Sequence, residues 1–281
     1  MKPFICAKSG GNPFLHIVGL PYDRTVSFRS GARFAPEAIR TAVDELESYD
    51  PLLHLDLEDV LFSDAGDLPL RNNESVAKTL DKIEKLLYER FSKTDRIIAL
   101  GGEHLLTLPL VERAAKIHGK KKLWCIQFDA HADLRDEYLG RRLNHASVMR
   151  RIVELLGWKK IRQVGIRSGT KEEWEMMRKN KSLVASTPLA IEKLLEKIGD
   201  EPVYLSIDVD VLDPSVMPGT GTPEPGGLFF RELEALLLSL KTANIVSADI
   251  MELAPNLDPS GASAAAAAKI ARYLLLIMNS R

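Results

Sequence analysis

The chain has 281 residues, of which 45% are hydrophobic and 27% charged. That is the balance of a soluble folded protein rather than of a disordered tail. Lys plus Arg is 38 and Asp plus Glu is 39, a net charge of -1, so there is no general attraction to nucleic acid or to an anionic membrane. The two cysteines, Cys6 and Cys125, are too few for a disulfide scaffold and fit a reducing, cytoplasmic setting.

The apolar stretch over residues 1–8 is too short for an export signal. Short, nearly all-apolar runs at 16–19, 96–102, 122–129, 162–166, 202–208 and 245–250 predict strands covered on both faces. Between them, 74–91, 147–156, 189–198 and 230–240 carry apolar residues at helical spacing, with Val76, Leu80, Ile83, Leu86 and Leu87 on one face of the first. The run Ala264 to Ala268, after a turn at Ser260-Gly261, predicts a buried helix, since alanine favours helix and allows close packing. The apolar C-terminal stretch 262–278 is interrupted by Lys269 and Arg272. It falls short of the ~20 apolar residues that a bilayer requires. Alternating strands and helices imply one α/β domain over residues 1–281, with a parallel sheet between helices.

In such sheets ligands bind beyond the carboxyl ends of the strands, and the unusual polar residues of this chain stand there. Gly101-Gly-Glu-His104, Asp129-Ala-His-Ala-Asp133, Asp208-Val-Asp210 and Glu252 each follow a predicted strand. At period two, Asp129, His131 and Asp133 would share a face if the strand continued through them, and Asp208 and Asp210 likewise. Any one carboxylate there reads equally well as a turn residue. Five carboxylates with two histidines on one rim carry too much negative charge to be buried uncompensated. Bound divalent metal is the simplest neutralisation, and oxygen and imidazole donors without thiolate suit Mn²⁺, with Zn²⁺ or Co²⁺ as alternatives. Six ligands exceed the need of one tetrahedral zinc and match two ions roughly 3.5–4 Å apart, bridged by shared carboxylates.

In this order the segments resemble the ureohydrolases, the arginase, agmatinase and formimidoylglutamase superfamily. The matching pieces are those above together with Ser206-Ile-Asp-Val-Asp-Val-Leu-Asp-Pro214, Pro218-Gly-Thr-Gly-Thr-Pro-Glu-Pro-Gly-Gly227 and Asp249-Ile-Met-Glu-Leu-Ala-Pro255. Gly19-Leu-Pro-Tyr-Asp23 and Arg29-Ser-Gly-Ala-Arg-Phe-Ala-Pro-Glu-Ala-Ile-Arg40 look most like the agmatinase branch, and Glu103 departs from the aspartate more common there. The resemblance implies a three-layer α/β/α sandwich and two Mn²⁺ per chain. It implies His104, Asp129, Asp133 and Asp208 on one ion and His131, Asp129, Asp208 and Asp210 on the other. It further implies that Asp133 aims the attacking hydroxide, that Glu252 pairs with the guanidinium, and that His145 shuttles the proton to the leaving amine. Glu224 and Asn144 would lie near the substrate, although Glu224 between two prolines also reads as a plain loop residue. Relatives are often trimers or hexamers, so a homo-oligomer is expected.

The favoured substrate is agmatine, cleaved to putrescine and urea. Arginine, guanidinobutyrate, N1-aminopropylagmatine and formimidoylglutamate stand behind it. The loop Leu134 to Asn144 should line the pocket mouth, where Asp136 or Glu137 is a candidate partner for the terminal amine and Arg135, Arg141 and Arg142 are candidates to offset them. A single-zinc deacylase and a non-catalytic relative are the readings from other classes. Cys125, inside an apolar strand, reads as core packing.

Overall fold

Strands made almost wholly of Val, Ile, Leu and Phe need apolar cover on both faces, which helices crossing from one parallel strand to the next supply. In the computed structural model, which describes residues 2–8 and 10–279, they do so. In chain order, β1 (Leu15–Gly19) leads to α1 (Ala35–Val43), then to a small antiparallel ribbon of β2 (Tyr49–Asp50) and β3 (Leu55–Asp56), and to β4 (Phe62–Asp67). There follow α2 (Val76–Arg90), β5 (Arg96–Leu100), α3 (Thr107–His118), β6 (Trp124–Phe128), α4 (Val148–Leu156), β7 (Ile161–Val164), α5 (Lys171–Asn180) and β8 (Leu183–Val184). The chain continues through α6 (Pro188–Ile198), β9 (Val203–Asp208), α7 (Phe230–Ser239), β10 (Ile245–Met251) and α8 (Ala262–Asn279).

Eight strands form one sheet in the order β4-β1-β5-β10-β9-β6-β7-β8, every pairing parallel. Alternate residues of a strand point to opposite faces. Ile98, Ile126 and Leu205 therefore pack with Ile39, Leu194, Leu236 and Leu275 of α1, α6, α7 and α8. Their neighbours Ile97, Cys125 and Tyr204 pack with Ile83, Val111 and Ile152 of α2, α3 and α4 on the other side. The result is the expected three-layer α/β/α sandwich. The alanine run forms part of a longer helix, α8, with Ala267, Ala268 and Ala271 fully buried. Among the described residues no helix is long and apolar enough to cross a membrane.

The six expected strands and five expected helices are present, but α1, α3, α5, β4 and β8 lie outside the apolar pattern. The sequence of β4, Phe-Ser-Asp-Ala-Gly-Asp, is polar because it is an edge strand with an ionic partner. Arg40, on the buried face of α1, donates from Nε and Nη2 to the two oxygens of Asp64 at 2.7 and 2.8 Å, and from Nη1 to Asp67 at 2.7 Å. Asp64 also accepts the Phe4 and Gly66 N–H groups. The guanidinium is 1% exposed, so its loss would leave buried negative charge. We expect Arg40→Met to cost about 3–5 kcal/mol, measured by urea unfolding. A cost below about 1 kcal/mol would mean that the backbone donors satisfy the carboxylates without it.

Candidate metal centre

The four central strands β5, β10, β9 and β6 end side by side, and each releases polar residues at the same rim. After β5 the chain passes so close to its neighbours that only glycine fits. A Cβ on Gly101 would stand 2.3 Å from the Ile250 carbonyl oxygen, and one on Gly102 would stand 2.0 Å from that of Tyr22. This close approach delivers His104 into a short turn over the rim.

After β6 the strand stops at Phe128. The period-two expectation for Asp129, His131 and Asp133 is therefore corrected: they converge through an irregular loop, not along one strand face. The Asp129 N–H bonds to Val164, His131 bridges to Ser168, and Asp133 turns with φ +52°. Asp208 closes β9, while Asp210 sits in the next single turn, Val209–Val211, and its N–H is capped by the Asp208 carboxylate. Glu252 follows β10 with φ +65°. Asp133 and Glu252 thus both hold a left-handed backbone that side-chain-bearing residues rarely adopt. Such strain persists only where the surroundings over-determine it, commonly at functional sites.

His104, His131, Asp133, Asp208, Asp210 and Glu252 line a cavity of about 330 Å³, and Asp129 stands fully buried against the two histidines. His104 Nδ1 lies 3.1 Å from Asp129 Oδ2, 3.2 Å from Asp133 Oδ2 and 3.2 Å from Asp208 Oδ2. His131 Nδ1 lies 2.8 Å from Asp210 Oδ2 and 3.7 Å from Asp129 Oδ1. Two donor groups result, His104–Asp129–Asp208 and Asp129–His131–Asp210, each with its atoms within 4.8 Å of one another and with Asp129 common to both. Asp208 belongs only to the first, and its Oδ1 accepts the Asp210 N–H at 2.9 Å.

The hydrogen bonds beneath His104 show what this arrangement lacks. Asp249 accepts hydroxyl protons from Tyr204 at 2.5 Å, Ser206 at 2.7 Å and Thr107 at 2.8 Å. The one hydroxyl proton of Ser206 is thereby committed, so at 2.9 Å Ser206 Oγ accepts from His104 Nε2–H. A neutral His104 then presents the lone pair of its buried Nδ1, which has no hydrogen-bond partner, to three carboxylate oxygens. That contact is repulsive unless positive charge stands among them. The titration tendencies agree. Burial alone would depress His104, yet Asp129, Asp133 and Asp208 raise it well above its usual range. Burial and the neighbouring carboxylates push Asp208 well up, and burial with the Asp129 charge pushes Asp133 up to about 7. Imidazole nitrogens and hard carboxylate oxygens, orphaned and converging, fit a pair of divalent cations.

Glu252 lines the same cavity, with Oε1 accepting the His104 N–H at 2.7 Å; burial raises its carboxyl to about 8. His145 also lines it, its Nε2 3.2 Å from Ser27 Oγ; burial lowers its imidazole to about 4, so it is neutral at pH 7. The other candidates stand elsewhere. Asn144 is 1% exposed and does not line the cavity, because its side chain caps the Ala146 N–H and reaches the Thr25 carbonyl. Glu224 is also absent from the lining; Arg167 grips its carbonyl, and Thr222 of the same loop faces the cavity instead. Asp136 is absent from the cavity lining and pairs with Arg151 at 2.6 Å and Arg142 at 3.2 Å, and Glu137 faces a neighbouring pocket. Arg135, stacked on Tyr138, stands in the lining. The supporting Ser206 and Asp249 lie inside segments that carry the family resemblance, whereas Thr25 and Ser27 carry no spacing signal.

Residues 15–277 match the model of the "Arginase family", and the chain belongs to that family. It is 38% identical over 282 residues, 98% of this chain and 96% of the relative, to an agmatinase of Halalkalibacterium halodurans. It is 40% identical over 257 residues to an N(1)-aminopropylagmatine ureohydrolase of Thermococcus kodakarensis, covering 89% of this chain and 86% of that one. The solved agmatine ureohydrolase of Thermoplasma volcanium superposes with a TM-score of 0.86 at 32% identity, covering 99% of this chain and 94% of that one.

Asp249 makes no contact with the cavity, yet it anchors Ser206, which fixes the His104 ring. Such outer partners are worth about 10–100-fold in metal affinity. We expect Asp249→Asn to weaken binding of the tighter divalent ion by about that factor in equilibrium dialysis. Unchanged affinity would show that Ser206 orients the ring unaided.

Proposed function

We propose that the chain is a ureohydrolase that cleaves agmatine to putrescine and urea, using two manganese ions. The observation that carries the reading is the pair of donor groups sharing Asp129 at the cavity. The likeness to agmatinases over nearly the whole chain supports the substrate. In this reading His104, Asp129, Asp133 and Asp208 hold one ion and His131, Asp129 and Asp210 the other. A second shared ligand, Asp208, rests on the family resemblance. The ions supply Lewis acidity and the ionisation of water near neutral pH.

The protein's own groups do the rest. A guanidinium is cationic and resonance-stabilised, hence a poor electrophile that needs positioning. Glu252, buried at the cavity wall, faces the guanidinium, whose positive charge favours the ionised carboxylate and so a charge-assisted pair with the guanidinium N–H groups. Its bond to the His104 N–H ties substrate position to the metal-side turn. Asp133 accepts a hydrogen bond from the attacking water and aims it at the guanidino carbon. Addition of water and rupture of the bond from that carbon to the alkyl nitrogen release urea, and the departing amine takes up a proton. His145, a neutral imidazole with Nε2 near the cavity, is suited to carry it, since a base that is uncharged at working pH can accept and then deliver. Arg135, Tyr138 and Thr170 line the same cavity. A homo-oligomer and a cytoplasmic setting complete the proposal.

Urea release with manganese across agmatine, N1-aminopropylagmatine, guanidinobutyrate and arginine tests the reading. We expect the highest kcat/KM on agmatine. Preference for aminopropylagmatine would move the assignment to the activity of the Thermococcus relative, and silence on every compound would defeat it. His145→Ala should keep its metal content while kcat falls about 10²–10⁴-fold; an unchanged kcat at neutral pH would remove the shuttle role.

A further inference from the structure

Two residues outside the metal cluster connect it to His145. Glu103 directly precedes His104 and is completely buried. Its side chain turns away from the cluster toward the loop after β1. There Oε2 accepts the Thr25 N–H at 2.5 Å and Oε1 accepts the Thr25 hydroxyl at 2.9 Å. Thr25, 2% exposed, is therefore clamped at two atoms by one carboxylate. Its hydroxyl oxygen, with its proton directed to Glu103, accepts the His145 N–H at 3.0 Å and lies 3.4 Å from His145 Nδ1. The Thr25 carbonyl accepts from Asn144 Nδ2 at 3.4 Å.

Three separate segments thus meet at one threonine: the turn that carries His104, the loop after β1, and the cavity-side turn that carries His145. Residues 145–147 form a single 3₁₀ turn, capped by Asn144, at the start of α4. Its internal bonds, Asn144 Oδ1 with the Ala146 N–H and Ser147 Oγ with the Asn144 N–H, set its shape without fixing where it stands against the sheet. A shape-holding cap and a location-holding clamp are different tasks; the Arg135 N–H to the Ala146 carbonyl at 3.3 Å and the start of α4 share in the second, and at His145 itself it falls to Thr25, held by Glu103.

We propose that Thr25, locked by Glu103, is a positioning residue that holds His145 at its working distance from the metal centre. This rests on the ureohydrolase reading for its kinetic consequence, but not for its structural one. Misplacing a reacting group by about 1 Å can cost about 10²-fold in rate.

The test uses the full-length, manganese-loaded chain with Thr25→Val, which removes the hydroxyl at similar volume, and Thr25→Ser, which keeps it. Metal content is checked for each. We expect Thr25→Val to lower kcat on agmatine by about 10- to 100-fold with KM within about twofold, and Thr25→Ser to restore most of the rate. Amide exchange over residues 142–147 should rise in the valine variant and return to the parental rate in the serine variant, with β5 and β9 unchanged. In a His145→Ala background, Thr25→Val should change kcat by less than about twofold, because residues acting as one unit are not additive. An equal kcat loss in both backgrounds, or parental exchange over 142–147 in Thr25→Val, overturns the proposal. Should the parent release no urea from any guanidino compound, the ureohydrolase reading fails, and the exchange comparison still decides whether Thr25 holds the turn.

Discussion

Negative charge crowded at one end of a parallel sheet is the constraint on which this molecule's chemistry turns. Asp129, Asp133, Asp208 and Asp210 are each less than a tenth exposed, and His104 faces three of them with a buried nitrogen that has no hydrogen-bond partner. Buried carboxylates at such spacing are tolerable only around positive charge. The surrounding structure accepts this cost. Glycines 101 and 102 admit the close passage of the chain, Asp133 and Glu252 hold strained backbones, and Asp249 with its three hydroxyl donors anchors the ring of His104 from below.

The sheet makes the convergence possible. Residues 104, 129, 208 and 252 are far apart in sequence but follow β5, β6, β9 and β10, which are contiguous in the sheet. Parallel strands have their carboxyl ends on one side, so each crossover helix returns the chain to add a group to the same rim. The apolar layers on the two faces hold those ends still, and a rigid support of this kind is what a site demanding close placement requires.

Around these groups the cavity wall is built from less regular chain. The loop after β1 brings Thr25 and Ser27, the loop after β6 brings Arg135 and Tyr138, and the turn at 144–147 brings His145. Loops on a fixed scaffold are where relatives of one fold diverge in substrate. The charged residues of the 134–144 loop show how easily such a segment misleads: Asp136 reads as a free carboxylate in a linear chain but spends its charge on Arg151 and Arg142.

Much of this was legible from residue order alone. Runs such as Trp124-Cys-Ile-Gln-Phe128 predict covered strands, and acidic and imidazole residues right after them stand at strand ends, so the layered fold and the gathering of six candidate ligands at one rim are readable from local pattern. The edge strand β4 and helix α1 were not legible. Their stability lies in the contact of Arg40 with Asp64 and Asp67, 24 and 27 residues away, and no periodicity records a pairing across that distance. The same holds for Glu103, Thr25 and His145, for the diversion of Asn144 into a cap, and for the withdrawal of Asp136 from the cavity. Burial and spacing are written along the chain, but which polar atom meets which is decided only when distant segments pack.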